Sequence, residues 1–329
     1  MFPDFLIIGA QKAGTTWLQR NLQNHPQIWM PREKELHYFD EKVRLDGGLF
    51  SRLLGDRPPD ARWRRQAKSR FRQSPKKLKI KDLAWDLKYF FGSYSDEWYA
   101  SLFERGRGRL TGETTPDYSI LDKEAISRVY EIMPHARIIF MMRNPVERPW
   151  SAIDMGLRIS GRAREDVEDD MVYKRFAKKR TQLMTNYRRT LRNWGAFYPE
   201  DRIFVGFLED IHFFPNELLG RLYSFLGVDA SSEYRVITRK IHSGQQSTMP
   251  TRFAVNLARA YREEISWLSE RFGGYASFWH SCAQRLAEDP PEEESVPYPL
   301  YESRLWEEWV GSHQLEPQSR VLSSVRARS

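Results

Sequence analysis

Near the start of the chain an apolar run, Phe5-Leu6-Ile7-Ile8, stops at Gly9 and leads into Ala10-Gln11-Lys12-Ala13-Gly14-Thr15-Thr16-Trp17. A short continuous apolar run closed by glycine reads as a strand buried on both faces, the pattern of a parallel sheet. Thr15 to Asn24 reads as a helix with Trp17, Leu18 and Leu22 on one face, ended by His25-Pro26. Strand, glycine loop and helix in that order form an anion site, because backbone N–H groups of the turn and of the helix start converge. Gly9 and Gly14 permit close backbone approach. Thr15 and Thr16 add hydroxyls, and Lys12 adds a mobile positive charge.

The arrangement recurs. Ala136 to Met142 is a second buried-strand run, ending in Arg143-Asn144-Pro145 with a helix expected from about Val146. Arg202 to Phe207 is a third strand. Helices are expected over Tyr89–Phe103, Lys123–Ile132, Tyr187–Phe197, Asn216–Leu226 and Phe253–Phe272, with Gly227 at a helix end and a turn-rich segment at Gly112–Tyr118. Strands alternating with helices predict an α/β fold with a mainly parallel central sheet, its ligands at the carboxyl ends of the strands. The 329 residues suit one large domain, read as 1–284. Residues 285–329 open with Pro290-Pro291-Glu292-Glu293-Glu294 and read as a loosely packed tail, with a short helix docked through Leu305, Trp306, Trp309 and Val310.

A net charge of +8 implies anionic partners without choosing among nucleotide, polyanionic sugar, nucleic acid and acidic lipid. Ten Lys or Arg and no acidic residue fall between Arg62 and Lys81. That block reads as a solvated basic surface or as a wall for an anionic ligand; no nucleic-acid module accompanies it. The single cysteine, Cys282, excludes an intrachain disulfide, and without a Cys/His cluster no structural zinc or other metal site is expected. The N-terminus lacks the basic region of a signal peptide, and no stretch nears the roughly 18 apolar residues of a membrane span. A cytoplasmic protein is expected.

A nucleotide phosphotransferase is the first competitor. Its loop is G-x-x-x-x-G-K-[ST]. Gly9 and Gly14 keep that spacing, but Thr15 follows the second glycine and the lysine stands two residues before it. The second strand ends in Arg143-Asn144 rather than in an aspartate that would serve Mg²⁺. The pattern favours a phosphate-bearing donor used without an obligatory metal.

The loop resembles the 5′-phosphosulfate loop of sulfotransferases that use 3′-phosphoadenosine-5′-phosphosulfate (PAPS), and other motifs follow in family order. His25-Pro26 and Lys34-Glu35-Leu36-His37-Tyr38-Phe39-Asp40 are similar to the HP…KE-x-HFFD stretch of the heparan sulfate sulfotransferase branch. Glu113-Thr114-Thr115-Pro116-Asp117-Tyr118 is similar to its EKTPAYF. Arg143-Asn144-Pro145-Val146-Glu147-Arg148-Pro149-Trp150-Ser151 resembles the 3′-phosphate motif RDPxERxxS. The resemblance covers roughly residues 4–275. It implies sulfonate transfer from PAPS to a hydroxyl acceptor, a small natural product or a glycan, by direct in-line displacement, with PAP as product.

The resemblance assigns the 5′-phosphosulfate to Gln11, Lys12, Ala13, Gly14, Thr15 and Thr16. Lys12 is expected to stabilise charge on the departing oxygen. Arg143 and Ser151, eight residues apart, form the 3′-phosphate pair. Trp17 is either a ring for adenine or a core residue. Lys240 and Arg252, in the late loop, are candidates for the nucleotide or solvated charges. Glu35 matches the catalytic base. His37 matches the histidine beside it, as assisting base or as a satisfied hydrogen-bonding group; on an extended segment the two share one side. Thr114, Asp117 and Tyr118 lie at the acceptor. Thr114 replaces a family lysine suited to acidic sugars, and with Asp117 it weakens a heparan-like assignment. A protein that binds nucleotide or polyanion without catalysis is the alternative of a different class.

Overall fold

The computed structural model describes residues 1–40, 53–55, 58–72, 80–162, 167–231 and 247–322. Lys240 therefore lies outside the described residues, as does part of the basic block between Arg62 and Lys81.

The strands are β1 (Phe5–Gly9), β2 (Ile28–Trp29), β3 (Leu110–Thr114), β4 (Arg137–Met142), β5 (Ile203–Phe207), β6 (Ser247–Pro250), β7 (Ser295–Tyr298) and β8 (Arg320–Val321). Six form the central sheet in the order β2-β3-β1-β4-β5-β8; β6 and β7 pair separately. The first five of that order run parallel, and β8 closes the edge antiparallel to β5. The fold is α/β, with a mainly parallel sheet flanked by helices, as expected. Every residue of β1 is buried, as are all but the first of β4, so these runs carry no polar alternation.

The first helix is Thr15–Asn24, as expected from its periodicity. Two longer helices break. Tyr89–Phe103 divides into the end of Ile80–Phe91 and the separate helix Asp96–Ser101. A Cβ on Gly92 would lie 2.2 Å from the Trp98 ring, and the Ser95 hydroxyl caps the new start by accepting from the Trp98 N–H. Phe253–Phe272 divides at Tyr261 into Thr251–Ala260 and Arg262–Phe272, and the latter packs on Gly274–Glu288.

The segment Gly112–Tyr118 is not all turn: β3 occupies Leu110–Thr114 beside β1. In the tail the expected short helix is present, but the expected loose packing is not. β7 pairs with β6, β8 joins the central sheet, and the helix Arg304–Val310 buries Trp306 against Phe278. Asp210, just after β5, accepts from the backbone N–H groups of Gln318 and Ser319 and anchors the last turn of this segment. No helix among the described residues is long and apolar enough to cross a membrane.

The chain leaves β1 toward β2 and β3 on one side and later fills β4 and β5 on the other. The carboxyl end of β1 is thus the switch point of the strand order, where such sheets place their ligands.

Candidate active site

The carboxyl ends of β1, β3 and β4 are tied together by backbone bonds. Ala10 N–H donates to the Met141 carbonyl (2.6 Å), Thr115 N–H to that of Ile7 (3.1 Å), and Glu35 N–H to that of Thr114 (2.8 Å). These bonds bring the glycine loop, the segment 34–40, and the Arg143 turn to one edge.

Gly14, the residue before the first helix, has φ 82°, and a Cβ there would stand 2.2 Å from Ile211 Cδ1. No side chain caps this helix start and no acid lies in its first turn. Its first N–H groups therefore point outward with the positive end of the helix dipole, the chemistry of a phosphate site. Lys34 Nζ donates to Thr15 Oγ1 and Thr16 Oγ1, both at 3.1 Å, and to Glu35 Oε1 at 3.4 Å. Lys12 Nζ lies 3.4 Å from Met155 Sδ. Burial, assisted by the charges of Arg143 and Arg158, lowers the Lys12 ammonium to about 8. It stays mostly charged at neutral pH.

Arg143 is nearly fully buried and held on several sides. Nε donates to Glu147 Oε2 (2.8 Å), Nη1 to Ser151 Oγ (3.0 Å) and to the Lys12 carbonyl (3.3 Å), and Nη2 to the Tyr298 hydroxyl (2.8 Å). Tyr187 donates its hydroxyl to the Arg143 carbonyl at 2.8 Å. The helix Glu147–Ser160 carries both Glu147 and Ser151, so one element fixes two partners of the guanidinium.

The segment 34–40 forms the facing wall. Glu35 and His37 meet, at 3.7 Å between Oε2 and Nε2. They do so without the expected extended backbone. Lys12 (φ 74°), Glu35 (φ 65°) and His37 (φ 56°) are, among the described residues, the only non-glycine residues with positive φ. Such conformations are costly for side chains with a Cβ and concentrate where function imposes them. His37 Nδ1 bonds Asp40 Oδ2 at 2.7 Å and lies 3.6 Å from Asp117 Oδ2. Burial alone would lower the His37 imidazole; the bonds to Asp40 and Glu35 outweigh it and raise it to about 9. Burial alone would raise Glu35; the bond to His37 and the charge of Lys34 bring it down to about 2. Glu35 is therefore an ionised carboxylate and His37 a cation at neutral pH. The Glu35 side chain is 39% exposed and that of His37 only 2%, so Glu35 alone of the two is open to an incoming acceptor.

Other sequence candidates are placed differently. Trp17 packs in the core at 5% exposure. Tyr118 is fully buried and its hydroxyl accepts from the Tyr38 N–H (3.0 Å), so it braces the 34–40 segment from behind instead of facing an acceptor. Thr114 is buried beneath Glu35, its Oγ1 without a hydrogen-bond partner among the described residues. Asp117 pairs with Arg180 at 2.6 Å. Arg252 is 54% exposed, ion-paired with Asp169 and stacked 4.9 Å over the Phe253 ring, which directs its charge to a surface pair. His37, Asp40 and Asp117 bring one ligand atom each within 4.8 Å of one another, the donor chemistry of a cation site; the same side chains take part in the His37–Asp40 and Asp117–Arg180 bonds.

Sequence reasoning missed Lys34, Glu147, Arg180 and Tyr298. Lys34 and Glu147 stand inside quoted motifs, so position gave a signal. Tyr298 had none.

The sulfotransferase family model matches residues 3–232. The membrane-associated sulfotransferase kil1 of Dictyostelium discoideum is 28% identical over 149 residues, which is 45% of this chain and 22% of that protein. The heparan sulfate glucosamine 3-O-sulfotransferase 6 of Homo sapiens is 26% identical over 148 residues, 45% of this chain and 28% of that protein. The matches thus span under a third of either relative's length. A solved sulfotransferase from Alicyclobacillus acidocaldarius superposes with a TM-score of 0.56 at 21% identity, covering 82% of this chain and 95% of that one, and shares the fold.

Proposed function

Because the chain belongs to the sulfotransferase family, we propose that it transfers a sulfonate group from PAPS to a hydroxyl of a small natural product or glycan by in-line displacement. The observation that carries this reading is the meeting of two unlike halves at one edge. One half is cationic: the uncapped helix start, Lys12 and Arg143. The other is the ionised, half-open Glu35. Lys34 touches both.

The donor set fits PAPS: the first helix offers N–H groups, hydroxyls and no acid at its start, and Arg143 with Ser151 forms a second anion site across Lys12. Gly14, Thr15 and Thr16 hold the 5′-phosphosulfate, and Arg143 and Ser151 the 3′-phosphate. When bound, PAPS supplies a sulfonate activated by its anhydride link to phosphate. Lys12 keeps a positive charge beside the loop, where negative charge grows on the departing oxygen. Glu35 accepts the acceptor's proton, since an un-ionised hydroxyl is a poor nucleophile. His37 cannot take that role while protonated; it holds Glu35 in place.

The test is incubation with PAPS and a panel of hydroxyl acceptors, read by mass spectrometry for sulfonated product, with a parallel titration of PAP. A sulfonated product is expected. Absence of PAP binding removes the reading; PAP binding without transfer to any acceptor favours a non-catalytic nucleotide binder.

A further inference from the structure

We propose that Tyr298 is the third member of the 3′-phosphate clamp and sets the preference for a 3′-phosphorylated nucleotide; the proposal rests on the PAPS reading above. Tyr298 follows Arg143 by 155 residues. It lies beyond the 3–232 match to the family, in the segment whose composition predicts a loose tail. β7 carries it to the site, paired in register with Ser247 of β6.

Three polar side chains meet Arg143 there. The Tyr298 hydroxyl accepts from Arg143 Nη2 at 2.8 Å, and its ring lies 5.0 Å from the guanidinium carbon. Ser151 accepts from Nη1 of the same guanidinium at 3.0 Å. Glu147 holds the Nε edge, and its other oxygen accepts from the Leu300 N–H at 2.6 Å. One short stretch, Tyr298 to Leu300, thus grips both Arg143 and the carboxylate that orients it.

Hydrogen-bond capacity decides what this arrangement can do. A guanidinium only donates, whereas a hydroxyl accepts one bond and still has a proton to give. Ser151 and Tyr298, each accepting from Arg143, keep that proton for an anion that Arg143 itself attracts. Burial pushes the Tyr298 phenol up, against the pull of Arg143, so it retains its proton at neutral pH. A second carboxylate, added to Glu147, would repel an anion; a phenylalanine would leave an Nη2 proton unmatched.

Adenosine 5′-monophosphate (AMP) and PAP differ only in the 3′-phosphate, so the pair isolates the clamp. Calorimetric titration of the full chain and of Tyr298→Phe with each ligand is the experiment. Tyr298→Phe is expected to weaken PAP about tenfold, the scale of one hydrogen bond to a charged group, and to leave AMP unchanged. An unchanged PAP-to-AMP ratio overturns the role of Tyr298, whether both affinities hold or both fall together as in a merely structural defect. Wild-type protein that binds PAP no better than AMP removes the PAPS reading itself, a distinct result. If Tyr298→Phe loses its cooperative melt, Tyr298→Gln, which keeps both an acceptor and a donor, is expected to retain the wild-type preference for PAP; an AMP-like affinity for PAP in a folded Tyr298→Gln overturns the role as a shared acceptor and donor.

Discussion

Glu35 and His37 face one another at 3.7 Å on a backbone that turns left-handed at both residues. Their charges are set by this contact: His37 is held up near 9 by Asp40 and Glu35 despite its burial, and Glu35 is held down near 2 by His37 and Lys34 despite its own. One side chain is a permanent anion and the other a permanent cation in the neutral range.

Replacing the base therefore separates chemistry from binding. Glu35→Gln is expected to lower kcat by about 10² to 10⁴, the usual span for a general base, while PAP affinity changes little. Because a carboxylate near 2 stays ionised as pH falls, wild-type kcat/KM should show no acid limb from Glu35 until pH approaches its pKa of about 2. Stopped assays across pH check both. A glutamine variant with wild-type turnover removes Glu35 from the mechanism.

Lys12 governs the alkaline side. A lysine is charged below its pKa, and burial brings this one down to about 8. Its charge is lost well before that of an ordinary lysine, so kcat/KM should fall as pH rises through about 8. Lys12→Arg, charged throughout, should shift that limb upward, toward the His37 value of about 9. Lys12→Ala should lose turnover more than PAP affinity; equal loss in both would assign Lys12 to ground-state binding alone.

Gly14 tests the loop without touching a charge. Its φ of 82° and the 2.2 Å approach of a built Cβ to Ile211 Cδ1 both oppose a side chain. Gly14→Ala is expected to cost about 2 kcal/mol of stability, read by denaturant unfolding. It should also weaken PAP, because the first N–H groups of the helix shift.

The parts of this site visible in the sequence are those where local chemistry repeats a known solution. A glycine loop between a buried strand and a helix marks an anion site whatever the rest of the chain does. Arg143 and Ser151 follow from a strand end and a helix turn. The Glu35–His37 pairing was expected on an extended segment, yet two left-handed residues produce it, a conformation for which these residue types carry no propensity signal. β3 was hidden because it is polar and contains Gly112, which is needed where a Cβ would meet the Phe5 ring at 2.2 Å. Tyr298 was hidden because long-range pairing places it, and the acidic, proline-rich sequence before it predicts poor packing.

Lys34 joins the two halves of the site, and removing it should move two readouts at once. Its ammonium donates to the hydroxyls of Thr15 and Thr16 and stands 3.4 Å from Glu35 Oε1. In Lys34→Met the phosphate loop loses a neighbouring cation, and PAP affinity should fall about three- to tenfold. Glu35 loses one of the charges holding it near 2, so its pKa rises. A carboxylate with a higher pKa takes up its proton at a higher pH, and the acid limb of kcat/KM should therefore move up into a measurable range. A lysine with only a structural role would lower activity at every pH without shifting that limb. Lys34→Arg, which keeps the charge, should return the limb toward its original position; a limb that stays displaced would show that the ammonium's shape, not its charge, sets the Glu35 ionisation.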